Sequence, residues 1–286
     1  MILDVCIFYL EEICQMENVQ GKKLLFLGSG NMAAAIGRGL TIQKSPLQLC
    51  FYDINADKAT QLAAELSAEA AEDLSSAAAA ADVLLLAVKP QSMSGLLTEL
   101  APLVKPTQLV LTIAAGIPIA YYEERLPGVP VVRAMPNTSA AVLAAITGMM
   151  SGTLAQTEHM QLAEQVFAAV GQVVRIEEKD IHALTALSGS GPAYYYYFTE
   201  ALAAAGEKLG LAPEVAAALA RQTAIGSGKM LEAREESPAE LRVQVTSKGG
   251  TTAAALAAFG DKLPALVEEA AAACAARSAE MAAEIK

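Results

Sequence analysis

The segment Gly28-Ser29-Gly30-Asn31-Met32-Ala33, placed directly after the apolar run KKLLFL at 22–27, constrains this chain more than any other. A short apolar run reads as a buried strand, and the spacing after it reads as a helix through Leu40. A G-x-G-x-x-A turn joining the two has a physical meaning. Its glycines allow a tight turn and let backbone N–H groups approach a pyrophosphate. The helix N-terminus adds partial positive charge, and Ala33 lets helix and strand pack closely. Alone, the motif is equally a bare tight turn, so its weight depends on the strands and helices downstream of it.

Downstream, strands and helices alternate. LQLCFYD (47–53), ADVLLLAV (81–88), QLVLTIAA (108–115), VPVVRAMP (129–136) and GQVVRIE (171–177) read as strands. Helices are expected at 57–66, between strands 81–88 and 108–115, and at 153–169, with an apolar stretch at 140–150. The pattern predicts a doubly wound α/β domain with a mainly parallel sheet over residues 22–177. From 178 to 286 no strand-like run occurs. Segments 180–187, 191–210, 213–234, 237–245 and 251–283 read as helices punctuated by Gly and Pro. Their Ala-rich faces exceed what one small domain hides, which predicts a homodimer built by helix packing.

Residues 1–21 stand apart. MILDVCIFYL is short for a membrane span, carries Asp4 and lacks a basic flank, so neither a span nor a signal peptide is expected. The expectation is a non-native or disordered leader, with Met16 as the natural start; a real but floppy arm is the alternative. N-terminal sequencing that found Met1 would decide for the arm.

The chain carries a formal charge of -11 and no Trp. Such a field repels phosphate backbones and anionic membranes, so neither nucleic acid nor membrane is an expected partner, and the four cysteines read as reduced thiols, so cytoplasmic residence is expected. Cys6, Cys14, Cys50 and Cys274 lack metal-type spacing, and His159 and His182 have no second ligand one turn away, so no metal site is expected. No G-x-S-x-G elbow, GxxxxGK[ST] loop or HExxH is present.

Hydride chemistry fits what is present. Asp53 ends the second strand, where a carboxylate accepts from the adenosine ribose 2′-OH and repels a 2′-phosphate. That points towards NADH; a helix cap for the segment near 57 is the alternative. Ala87-Val88-Lys89-Pro90-Gln91 and Ala114-Ala115-Gly116 end two further strands, where a nicotinamide lies in such sheets. Lys89 is either catalytic or a structural or phosphate-side cation. Ser188-Gly189-Ser190-Gly191-Pro192 and Thr246-Ser247-Lys248-Gly249-Gly250-Thr251-Thr252 each open a helix. Clustered N–H and hydroxyl donors suit a carboxylate, although each junction is also compatible with a hinge and cap.

In order, GSGNMAAAI, AVKPQ, AAG, RAMPNTSA, SGSGPAY and VTSKGGTT resemble the pyrroline-5-carboxylate reductases from about Lys23 to the C-terminus. The resemblance implies a Rossmann-type domain followed by a helical dimerisation domain, with dimers assembling into decamers. It implies NADPH or NADH as cofactor, and reduction of 1-pyrroline-5-carboxylate to L-proline, the last step of proline biosynthesis. Leu27, Gly28, Ser29, Gly30, Asn31 and Met32 would then hold the pyrophosphate, while 87–90 and 113–115 would border the nicotinamide. Ser247, Gly249, Gly250, Thr251 and Thr252 would bind the substrate carboxylate and ring nitrogen, with Thr252 as the catalytic candidate. Two departures bear on cofactor choice. The family often has Asn or Ser, sometimes followed by Arg, where this chain has Asp53-Ile54, and Asn where it has Asp73. The rivals are a 3-hydroxyacid reductase, which needs a lysine where this chain reads GSGPAYYYY, and a non-catalytic dinucleotide-binding scaffold, which needs no second donor-rich site.

Overall fold

The structure is a computed structural model and describes residues 19–284. Of these, residues 19–189 together with 276–284 form one compact unit, and Ser190–Ala275 form a second. The expectation for the leader falls mostly outside the described residues, whose first member, Val19, is buried in the core of the first unit.

That unit is built on β1 (Lys23–Leu27), β2 (Gln48–Tyr52), β3 (Glu69–Ala70), β4 (Val83–Leu86), β5 (Leu109–Thr112), β6 (Val131–Met135), β7 (Ala145–Ser151) and β8 (Gly171–Arg175). They form one eight-stranded sheet in the order β3-β2-β1-β4-β5-β6-β7-β8. Every neighbouring pair is parallel except β6 and β7. The central strands β1, β4 and β5 read as nearly unbroken apolar runs because both faces are covered. Leu24 and Phe26 of β1 join Ile36, Phe51 and Leu85 in one core, while Leu25 and Leu27 join Leu84, Leu86 and Tyr122 in the other.

Helices α1 (Asn31–Ile42), α2 (Ala56–Leu66), α3 (Leu74–Ala80), α4 (Met93–Leu100), α5 (Ile119–Arg125) and α6 (Thr157–Ala168) occur in chain order, with the short α7 (Ile181–Leu184) after β8. The apolar stretch at 140–150 is divided: residues 138–142 form a 3-10 turn, and β7 then runs back antiparallel to β6. Leu143 makes this reversal in a left-handed conformation.

One buried and one half-buried polar link tie the sheet ends. Thr112 Oγ1 donates to Tyr122 Oη at 2.8 Å, and burial pushes the Tyr122 phenol up to about 12. Arg133 donates to Glu178 Oε1 at 2.7 Å, and the same oxygen accepts from the Ile119 N–H at 2.8 Å. The Arg133 side chain is 5% exposed, so removing its partner strands a buried cation. Glu178→Ala is expected to cost about 3 kcal/mol, read as a lowered urea midpoint at fixed protein concentration. A change below about 0.5 kcal/mol would show the pair to be solvent-screened.

The second unit contains α8 (Gly191–Lys208), α9 (Pro213–Ala233), α10 (Pro238–Gln244), α11 (Thr251–Phe259) and most of α12 (Lys262–Glu284). The single helix expected over 251–283 is broken at Gly260, whose φ of 45° lies outside the right-handed helical region. α8 and α9 pack together through Gly206 and the buried Ala216. Other faces carry exposed Tyr195, Tyr197, Leu231, Leu266 and Val267. An apolar surface of this kind marks an association site.

Candidate cofactor and substrate sites

Strand register places the motif. Leu27 aligns with Leu86, and Leu86 with Thr112, so Gly28, Ala87 and Ile113 emerge side by side at the carboxyl edge of the sheet. Between β1 and β4 the strand order reverses, and a crevice at such a point is where open α/β sheets take ligands. Gly28 has φ 103°, and a Cβ there would lie 2.9 Å from the Ala87 carbonyl oxygen. The turn therefore requires glycine for both conformation and room.

Gly30 differs. Its φ is -78°, open to any residue, and a Cβ would meet nothing within 4 Å. The space beside it is a cradle at the start of α1. Asn31 and Met32 begin that helix, so their N–H groups lack intrahelical acceptors. The Gly28 N–H is already given to the Tyr52 carbonyl at 2.8 Å, and the Ser29 N–H to Asp53 Oδ2 at 2.8 Å. Ser29 Oγ is buried without a partner.

Asp53 stands at the end of β2. Besides Ser29, it accepts from the Asn55 N–H through Oδ1 at 2.9 Å. The residue flanking α2 is Asn55, whose side chain makes no cap hydrogen bond. The second departure, Asp73, has a local explanation. It caps α3 by accepting from the Ser76 N–H at 2.8 Å, and that bond holds its carboxyl below the ordinary value.

Lys89 is exposed and leads into the 3-10 turn 90–92, beside the half-buried Val88 and Pro90. Ile113 is half-buried, Ala114 buried and Ala115 exposed, so two small side chains follow one large one along this stretch of the edge.

A neighbouring element was not assigned a site role from sequence. Asn137, 8% exposed just past β6, donates through Nδ2 to the Ser188 carbonyl at 3.1 Å and accepts from the Ser139 N–H at 3.2 Å. Ser188 lies in a π-helical turn, 185–189, a distortion frequent at functional sites. Asn137 thus pins the start of the SGSGP segment to the same sheet edge. The signal was present in RAMPN, since a Pro-Asn pair closes that strand, but its partner is 51 residues away.

In the helical unit, Gly249 has φ 72° and Gly250 precedes α11. A Cβ on Gly250 would lie 2.3 Å from Ser247 Oγ, so this hydroxyl sits over the helix start only because the residue is glycine. The Gly250 N–H is given to the Ser247 carbonyl at 3.0 Å. Thr251 and Thr252 are the first residues of α11, where N–H groups have no helical acceptor. Among the described residues no group of three or more His, Cys, Asp or Glu is placed to hold a metal, and no helix is long and apolar enough to cross a membrane.

The family model for pyrroline-5-carboxylate reductase dimerisation matches residues 178–281, and that for NADP oxidoreductase, coenzyme F420-dependent, matches 23–116. A Pseudomonas aeruginosa pyrroline-5-carboxylate reductase is 42% identical over 92% of this chain and 98% of its own. The chain belongs to the pyrroline-5-carboxylate reductase family. A Coxiella burnetii member superimposes with a TM-score of 0.87 at 35% identity, covering 92% of this chain and 99% of its own. A Plasmodium falciparum member solved with NADP bound gives 0.77 at 28% identity, with the same coverage. The Rossmann-type sheet followed by a helical dimerisation domain agrees with the expectation from sequence, and the dimerisation domain supports a homo-oligomer.

Proposed function

We propose that the chain reduces the C=N bond of 1-pyrroline-5-carboxylate to give L-proline, using the crevice at the β1/β4 edge for a reduced nicotinamide dinucleotide and the 247–252 turn for the substrate. The observation that carries the cofactor half is the open cradle at Gly30, flanked by the unpartnered first-turn N–H groups of α1. A dinucleotide pyrophosphate matches those donors in charge and size. Ser29 Oγ, buried and without a partner, fits a loop completed by a polar ligand, since such a hydroxyl otherwise costs about 1–3 kcal/mol. Leu27 to Met32 are assigned to the pyrophosphate, with Gly30 to Met32 as its donors. Residues 87–90 and 113–115 are assigned to the border of the nicotinamide. The reduced nicotinamide supplies the hydride.

On the substrate side, the roles belong to Ser247, Gly249, Gly250, Thr251 and Thr252. The hydroxyls and helix-start N–H groups would neutralise the imine's carboxylate locally, against a net charge of -11. The N-protonated imine is the better electrophile, because positive charge on nitrogen draws the hydride to the neighbouring carbon. Thr252 is assigned to hydrogen-bond that nitrogen. Fixing both reactants is worth up to about 7–11 kcal/mol in ideal cases. Homodimers assembling into decamers, in the cytoplasm, complete the proposal.

For the cofactor we favour NADH over NADPH. Asp53 puts a carboxylate just past β2, on the side this reading gives to the adenosine ribose, Ile54 beside it is exposed, and Lys58 is the nearest cation along the chain. Asp53→Ser is expected to shift the ratio of kcat/KM for NADH over NADPH at least about tenfold towards NADPH, roughly 1.4 kcal/mol. An unchanged ratio would place cofactor choice elsewhere. The activity itself is tested by following oxidation of each reduced nucleotide with pyrroline-5-carboxylate against 2-keto acids. Turnover confined to keto acids would overturn the assignment.

A further inference from the structure

Resting on the assignment of the Gly28–Met32 loop to the dinucleotide, we infer that Asp53 is also the positioning residue of that loop, through the Ser29 N–H. Both carboxylate oxygens are engaged, Oδ2 with Ser29 in the loop after β1 and Oδ1 with Asn55 in the turn after β2. The side chain thus bridges two loops that the chain separates by 24 residues. A bond from a backbone N–H to an ionised acceptor is stronger than one between neutral groups. The other anchor of the turn is Gly28, whose N–H is held by the Tyr52 carbonyl, the residue just before Asp53. Successive residues of the β2 end therefore fix successive residues of the glycine turn.

The consequence is that the group opposing a 2′-phosphate and the group holding the turn are the same carboxylate. Exchanging it for a neutral residue without an acceptor removes the repulsion but also frees Ser29, so NADPH gains little while NADH loses. Asparagine loses the charge and one acceptor but keeps an amide oxygen that can accept from Ser29, leaving the Asn55 N–H facing an NH2 group.

The test uses the full-length protein with Asp53→Asn and two acceptor-free variants, Asp53→Ala and the near-isosteric Asp53→Leu. Backbone amide hydrogen exchange at Ser29 is followed without cofactor, with the β1 amides as the internal measure of an intact fold. Ser29 should exchange at least about tenfold faster in Asp53→Ala and Asp53→Leu, about 1.4 kcal/mol of lost protection, and stay protected in Asp53→Asn. In turnover, Asp53→Asn should raise kcat/KM for NADPH, whereas the acceptor-free variants should fall below it with both nucleotides. Unchanged Ser29 exchange in an acceptor-free variant with intact β1 protection would overturn the inference, as would NADPH use by that variant equal to that of Asp53→Asn. Failure of the wild-type protein to bind either reduced nucleotide would instead defeat the cofactor assignment, which the exchange measurement does not depend on.

Discussion

Replacing Thr252 by alanine is expected to lower kcat/KM for the cyclic imine about 100-fold, in the range of a lost proton-transfer or transition-state hydrogen-bond partner, with reduced-dinucleotide affinity nearly unchanged. Thr252 is a first-turn residue of α11, just after Gly249-Gly250, and is half-buried in the single chain. Its hydroxyl belongs to the turn proposed for the substrate, and the loop proposed for the dinucleotide belongs to the other unit of the fold. A role at the ring nitrogen therefore predicts a loss confined to the imine. Fluorescence titration with NADH beside steady-state kinetics separates the outcomes. Equal loss of nucleotide affinity and turnover would make Thr252 a structural residue of the helix start, and a serine variant should recover most of the rate if the hydroxyl is what acts.

The second large effect separates two glycines that the motif treats alike. Gly28→Ala must place a side chain at φ 103° and 2.9 Å from the Ala87 carbonyl oxygen. Left-handed strain alone costs about 1–2 kcal/mol, and the contact is with backbone, which cannot turn aside as a side chain does. Both the melting temperature and NADH affinity should fall. Gly30→Ala should leave stability within about 1 kcal/mol, since φ is ordinary, space is open and only a modest N-cap preference is lost. Its methyl group would stand in the cradle, so NADH affinity should drop at least about tenfold. Thermal melts paired with calorimetric titration distinguish the two. If Gly30→Ala bound NADH like the wild type, the pyrophosphate would not lie beside residue 30.

Much of the architecture was legible because it derives from periodicity. Continuous apolar runs at 24–27, 83–86 and 109–111 announce strands buried on both faces, and the long Ala-rich segments after 178 announce helices. What escaped was short or depended on partners. β3 has two residues and no hydrophobic signature of its own; it exists because Cys50 and Phe51 offer it a ladder. β7 lay inside an apolar stretch that periodicity alone cannot assign, and its reversal against β6 depends on Leu143 adopting a left-handed turn. Gly260 interrupts a largely Ala-rich segment, with Pro264 just inside the helix that follows.

The candidate site divides along the same line. Residue order alone determined the kind of loop at 28–33, the acidic end of the second strand and the donor-rich turn at 247–252, because these are local arrangements of residue types with local physical consequences. Tertiary structure decided what each group is committed to. Asp53 gives its oxygens to Ser29 and Asn55, Asn137 reaches Ser188, and Arg133 is buried against Glu178. Those pairings join residues 24, 51 and 45 positions apart, apart from the local Asn55 bond. A hydrogen bond acts over about 3 Å of space whatever the length of chain between its partners, so only the folded sheet could choose them.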